Sequence, residues 1–253
     1  MQELCNLLFE LSSVDRLNIM LELKKKPMRI SHVSKKFGFT VQETSRNISR
    51  LFDANLIFKD TDGIYHLTPH GEEALNLLSG FEFLSNNKKY FTTHSLSALP
   101  PEFTKGIGAI ASSKVIGEVT EGLYDFENMV REAKEYVWLM ADQILASALP
   151  LIKEAVNRGV EIKKILPRNV NIPEGILALA NDPSFERAAR AHKLESRYLD
   201  RVDVVVFVSE KAATFGFPSL DGKFDYLGFC SRDETAHKWL KSMYLHYWNL
   251  AKR

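Results

Sequence analysis

Thr40-Val41-Gln42-Glu43 has the T-x-x-E form of a capping box, in which the first and fourth residues satisfy each other's unpaired donors at a helix start. A helix therefore begins at Val41. Just upstream, Phe37-Gly38-Phe39 interrupts the pattern with a glycine that permits a tight turn. Before the turn Ser31 can cap a short helix whose Val33 and Phe37 face inward while Lys35 and Lys36 project outward. Downstream, residues 56–59 and 64–67 are short β-prone runs separated by Asp60-Thr61-Asp62-Gly63, and Asp-Gly is a strong hairpin signal. Residues 31–67 must thus hold a short helix, a turn, a second helix and a hairpin, in that order.

That order is a winged helix-turn-helix, a module that reads DNA. On the second helix Val41, Thr44, Ile48 and Leu51 fall at intervals of three and four and form the expected buried stripe. The opposite face presents Gln42, Ser45, Arg46, Ser49 and Arg50, types suited to base edges and phosphates. Glu43 is assigned to capping, since phosphates would repel a carboxylate. Charge follows the same division. Residues 24–59 hold nine basic and two acidic side chains, while residues 1–23 and 60–90 each sum to minus three. The candidate DNA contacts are Lys35, Lys36, Thr40, Gln42, Ser45, Arg46, Ser49, Arg50 and Lys59. The bland alternative is an ordinary solvated helix face.

The flanking segments fit this frame. Leu4, Leu7, Leu8 and Leu11 repeat at helical spacing, Ser12-Ser13 offers a fresh N-cap, and Val14, Leu17, Met20 and Leu21 resume the stripe. Lys24-Lys25-Lys26-Pro27 ends that second helix, either as a solvated terminus or as a phosphate contact. The hairpin tip carries two aspartates with only Lys59 beside it, which argues against a strong grip on phosphate. Thr68-Pro69 then starts a post-wing helix with Gly71 in its first turn and Ala74, Leu75, Leu78, Phe81 and Phe83 following. His66 and His70 straddle a strand-to-helix junction without a third ligand nearby, so no metal is expected there.

Residues 92–104, TTHSLSALPPEFT, break every period and are the expected linker between domains 1–91 and 105–253. The second domain opens with a helical stretch, then an apolar run at 136–141, a helix over 144–157 and an alternating strand at 160–166. This series predicts a parallel β-α-β crossover. Strands are also expected at 202–208, 212–217 and 224–230, before a closing helix with Trp239, Met243, Tyr247 and Leu250 on one side. The fold class is therefore an α+β winged helix-turn-helix followed by an α/β domain with a mixed sheet. With Cys5 and Cys230 as the only cysteines, a disulfide framework is excluded and two buried thiols are expected. Neither a signal peptide nor a membrane-length apolar run occurs, which predicts a cytoplasmic protein.

The chain also resembles archaeal transcription regulators that join a winged helix to the domain of methanogenesis and filament regulators, with a layout like that of TrmB-type sugar-responsive regulators. The likeness is carried by the winged-helix core, ILASALPLIKEAVNRGVEIKKIL, VDVVVFVSEKAATFGFP and DYLGFCSRDETAHKWLKSMYLHYW. It implies a phospholipase D-like second domain that senses an effector or mediates dimerisation. Catalysis by such a domain needs histidine, lysine two on and aspartate five beyond. Here Lys193 follows His192 directly and Asp200 lies one place too far, so no enzyme and no cofactor are expected. Asp142, at a strand end, with Arg168, Arg197 and Arg201, is the candidate effector site; surface ion pairs are the alternative for each arginine. The partners implied are double-stranded DNA, a second copy of the chain and a small-molecule effector. A non-enzymatic protein-interaction module built on a winged helix is the rival reading.

Overall fold

The computed structural model describes residues 1–172, 176 and 182–253, and divides into two compact units, Met1–Ser79 and Gly80–Arg253. In the first unit, α1 (Gln2–Leu11) and α2 (Val14–Lys25) are joined through Ser13, whose hydroxyl accepts from the Arg16 amide. Arg16 turns back and donates to the carbonyls of Phe9 and Glu10 at 2.8 and 2.9 Å, satisfying the open end of α1. Strand β1 (Met28–Arg29) leads into α3 (Ile30–Phe37), Gly38 adopts φ +70°, and α4 (Val41–Asp53) follows. Next come β2 (Ile57–Lys59), β3 (Ile64–Leu67) and α5, which starts at Pro69 and runs to Asn86. The strands form an antiparallel sheet in the order β1-β3-β2. Ile19, Met20, Leu23, Val33, Ile48, Leu51, Leu56 and Leu67 close a single core beneath them.

Ser31 does not cap α3. The helix starts two residues earlier than a Ser31 cap would have it, at Ile30, with Arg29 at the N-cap and no side-chain bond there, because β1 pairs with β3 and fixes the chain's direction before Ser31 is reached.

In the second unit seven strands form a mixed sheet in the order β4-β10-β9-β8-β5-β6-β7. They are β4 (Lys114–Ile116), β5 (Tyr136–Met140), β6 (Glu161–Pro167), β7 (Leu194–Leu199), β8 (Val205–Ser209), β9 (Ala213–Gly216) and β10 (Gly228–Ser231). The expected crossover is present: β5 and β6 pair in parallel, and β7 extends the parallel side. The intervening helix α8 covers only Leu149–Asn157, after a single 3-10 turn at Ala146–Ala148. One sheet face is covered by α7 (Val119–Glu132), α8 and α9 (Pro183–Arg190), with Phe126, Ile152, Ala155, Phe185 and Ala188 against Val137, Ile162 and Phe207. The other is covered by α10 (Glu234–Leu250), whose Leu240, Met243, Tyr244, Tyr247 and Trp248 are buried as core.

Residues 92–104 are not a linker. Leu99, just before α6 (Pro101–Lys105), and Phe103, on it, are buried with Ile107 and Ile110 in the core of the second unit. Apolar side chains on either side of the Pro100-Pro101 pair supply that packing, so the loss of periodicity marks an irregular segment and not a solvated tether. The cysteines differ from expectation as well: Cys5 is exposed on α1 and Cys230 is half-buried. Cys5 lies on the solvent side of α1 with Met1, Leu4 and Leu8.

A candidate nucleic-acid interface

The start of α4 is fixed by its own side chains. The Glu43 amide donates to Thr40 Oγ1 at 3.2 Å, and Glu43 Oε2 accepts from the Thr40 amide and hydroxyl at 2.8 Å each. The Thr40 bonds, the backbone one first, hold the Glu43 carboxyl below its ordinary value. Glu43 is thereby withdrawn into the cap, and the negative charge nearest the reading face is spent on the helix itself. Thr40 is exposed but its hydroxyl is committed to this cap.

Thr44, Asn47, Ile48 and Leu51 form the buried side of α4. Val41 does not join them: it is 80 % exposed, because the core of this unit stops short of the first turn of α4. Gln42, Ser45, Arg46 and Ser49 are all exposed, so one flank of a rigidly capped helix offers two long polar side chains and two hydroxyls to solvent. Lys35 is exposed on α3, and neither it nor Arg46 makes an ion pair among the described residues.

Two of the expected phosphate contacts are engaged elsewhere. Lys36 pairs with Glu22 at 2.6 Å, and Glu22 also takes Lys25 at 2.8 Å. Arg50 pairs with Glu10 and lies over the Phe9 ring at 5.1 Å. Glu10 also holds Arg16 at 3.0 Å. The hydrogen bond from Arg50 is the main cause that lowers the Glu10 carboxyl, and the same bond raises the guanidinium. Both cations remain near the interface, yet their first role is to fasten α3 to α2 and α4 to α1.

One of the two aspartates of the hairpin tip is held by the hairpin itself. Asp60 Oδ1 accepts from the amides of Asp62 and Ile64 at 3.0 and 2.8 Å, and Oδ2 lies 2.7 Å from His66 Nε2. The His66 contact is the leading cause that depresses the Asp60 carboxyl. His66 also stacks on Phe58 at 5.0 Å, which makes it a brace of the hairpin. Beside exposed Lys59, the β1 pairing brings Arg29 opposite Ile64, with its Nη1 close to Gly63. Arg29 is a cation of this surface that sequence reasoning missed, since a two-residue strand has no periodicity to read. Val41 was missed for the opposite reason: its spacing matched the buried stripe.

The four proposed effector residues do not act as one group. Asp142 accepts from the Tyr226 hydroxyl at 2.7 Å, Arg168 pairs with Asp200 at 3.1 Å and Arg201 with Asp203 at 2.8 Å. Arg197 donates to the Trp248 carbonyl at 2.9 Å, pairs with Glu195 at 3.2 Å and covers the Trp248 ring at 4.3 Å. Each is satisfied locally, as surface and strand-edge ion pairs are. His192 follows α9 with φ +55° and is exposed, as are Lys193 and Asp200. Among the described residues no helix is long and apolar enough to cross a membrane.

No protein-family profile matches the chain, and no curated protein matches it. Among solved structures it is similar to TrmBL2, described as an archaeal chromatin protein with a novel mode of DNA binding, at 16% identity over 95% of this chain and 94% of that one, with a TM-score of 0.44. The phospholipase D family member Nuc from Salmonella typhimurium aligns at 14% identity over 51% of this chain and 88% of its own, TM-score 0.38. NucT from Helicobacter pylori aligns at 16% identity over 55% and 96%, TM-score 0.42. Likenesses this distant establish neither the family of this chain nor its activity.

Proposed function

We propose that the chain is a DNA-binding transcription regulator whose first unit is a winged helix-turn-helix with α4 as the reading helix. The observation that carries this is the exposed flank of α4, with Gln42, Ser45, Arg46 and Ser49 free in solvent while Glu43 is drawn into the cap. Arg46 and Gln42 would address base edges, and exposed Val41 beside them suits a thymine methyl. Lys35, Lys59 and Arg29 would neutralise phosphates; Lys36 and Arg50 would do so only on leaving Glu22 and Glu10.

The chain acts as a homodimer on a pseudo-palindromic operator, two copies of α4 entering major grooves one helical turn apart. Exposed Leu4 and Leu8 of α1 and Leu77 of α5 are the kind of apolar surface that a second copy covers. The role is not enzymatic, and a small molecule bound by the second unit supplies the controlling signal.

The salt dependence of duplex binding tests this. Counterion release gives a slope of about −0.9 per neutralised phosphate, or roughly −5 to −7 for a dimer using three or four cations per copy. Absence of duplex binding at low salt, or an affinity indifferent to salt, overturns the reading.

A further inference from the structure

Val41 opens α4 and differs from every other residue of its exposed flank. It is 80% exposed, lies outside the core of the first unit, and is the one apolar side chain among the exposed residues of 41–49. A turn of about 100° per residue sets Val41 and Ser45 along one edge of that flank, Gln42 and Ser49 down its middle and Arg46 along the other edge. The flank is a polar surface with a single apolar corner, and that corner lies at the helix start.

Neither the core nor helix formation accounts for a valine there. Its side chain gains nothing from burial, and β-branching makes it a poorer helix former than alanine or glutamate. What the position does supply is stiffness. The bonds between Thr40 and Glu43, at 2.8 and 3.2 Å, hold the first turn, and a valine in a helix keeps essentially one χ1 rotamer. Both methyl groups of Val41 therefore point in fixed directions before any partner arrives, so a contact made with them costs little side-chain entropy.

Recognition helices bring their N-terminal residues against base edges, and with α4 as the reading helix Val41 is the first to enter the groove. The base pairs show hydrogen-bond donors and acceptors there, and one apolar group, the C5-methyl of thymine. We infer that Val41 is a specificity-determining residue that packs on a thymine C5-methyl group in each half-site, so that one operator position is chosen by an apolar contact while Gln42 and Arg46 choose theirs by hydrogen bonds. The inference rests on α4 being the reading helix. It goes further by requiring a methyl group of the operator, which polar side chains alone do not demand.

The test uses the full chain and an operator selected from random DNA. Each thymine is replaced in turn by deoxyuridine, which keeps every donor and acceptor and removes only the methyl group. One thymine in each half-site should be sensitive, its replacement weakening binding about fourfold, the worth of one buried carbon group. Val41→Ser should bind the unmodified operator more weakly than the wild type does and should no longer distinguish the two bases at that position. Its melting temperature should stay unchanged, because the side chain is outside the core and serine matches valine in helix propensity. Arg46→Ala should lose affinity yet keep the distinction. If no thymine is sensitive, or Val41→Ser still distinguishes thymine from deoxyuridine, the inference falls while the DNA-binding reading stands. A wild-type chain that binds no duplex at low salt overturns both.

Discussion

Arg50 on α4 reaches across to α1 and donates its Nε hydrogen to Glu10 Oε2 at 2.9 Å, whereas Arg46, one turn earlier on the same helix, makes no ion pair among the described residues. Two arginines that sequence spacing places on one face therefore have different work. Arg46→Ala should lower specific duplex affinity by roughly 1–3 kcal/mol, as for a base-reading arginine. Arg50→Ala should instead lower the melting temperature, by freeing Glu10 and uncovering Phe9, with the smaller loss of affinity for DNA. Titrating a selected operator against both variants, with melts run alongside, separates the roles. Equal losses of affinity at unchanged stability would defeat this division.

The cap of α4 makes a second, local claim. Thr40→Ala removes the acceptor of the Glu43 amide and should destabilise the first unit by about 1 kcal/mol, the usual cost of losing an N-cap. Because the reading flank begins two residues later, duplex affinity should fall with it. Thr40→Ser should restore both, since serine presents the same acceptor. A serine variant that melts and binds like the alanine variant would show that the box is not what sets the helix start.

Acid should loosen the first unit through the same groups. Glu10, Glu22 and Glu43 all lie below the ordinary 4.5, held there chiefly by Arg50, by Lys25 and then Lys36, and by Thr40 respectively. A depressed value in the folded state means that the unfolded chain takes up these protons first. Their contribution is therefore fully present above pH 4.5 and is lost as pH falls through the lower folded-state values. Melts between pH 7 and pH 3 should show a decline confined to the acid side, and Glu10→Gln should flatten it.

How legible this was in the sequence depends on the range of each interaction. The capping box, the Gly38 turn and the Asp62-Gly63 hairpin involve residues within four of one another, and each stands where its local chemistry put it. Arg50 and Glu10 are 40 residues apart and Lys36 and Glu22 are 14 apart, so nothing in a periodicity reveals that these cations are taken. Strand β7, LESRYL, went unrecognised because this edge strand is half-buried throughout and places Glu195 and Arg197 together on one face, so no apolar alternation shows. A cleft beside α7 was equally invisible. Asp125, Thr214 and Cys230 come from three separate elements and meet only when β9 and β10 pair beneath α7.

In the second unit Tyr90 ties distant segments together. Its hydroxyl accepts from the Phe217 amide at 2.9 Å and donates to the carbonyl of Phe217 or Leu227, at 3.3 and 3.4 Å. Burial is the main cause that raises the phenol, so it stays protonated across the ordinary pH range. Tyr90→Phe leaves a buried amide without a partner and should cost about 1–3 kcal/mol. Hydrogen exchange should locate the damage at the Phe217 amide, which is expected to lose protection ahead of its neighbours in β9.

Gly71 gives the sharpest steric prediction. A Cβ built on it would lie 2.1 Å from the Leu56 carbonyl oxygen and 3.0 Å from its carbon, both backbone atoms that cannot rotate away. The approach is forced because Thr68 caps the start of α5 by accepting from the Gly71 amide at 2.9 Å, while its own hydroxyl donates to the Asn55 carbonyl at 2.7 Å. The first turn of α5 is thereby pressed onto the chain entering β2. Alanine is ordinarily the better helix former by about 1 kcal/mol, so propensity alone would have Gly71→Ala stabilise the protein. Overpacking against fixed backbone costs typically 1–3 kcal/mol and outweighs that gain. The melting temperature of Gly71→Ala should therefore fall, and duplex affinity should fall with it, because β2 leads into the hairpin that carries Lys59. A rise in melting temperature would mean that α5 does not press on Leu56 in solution.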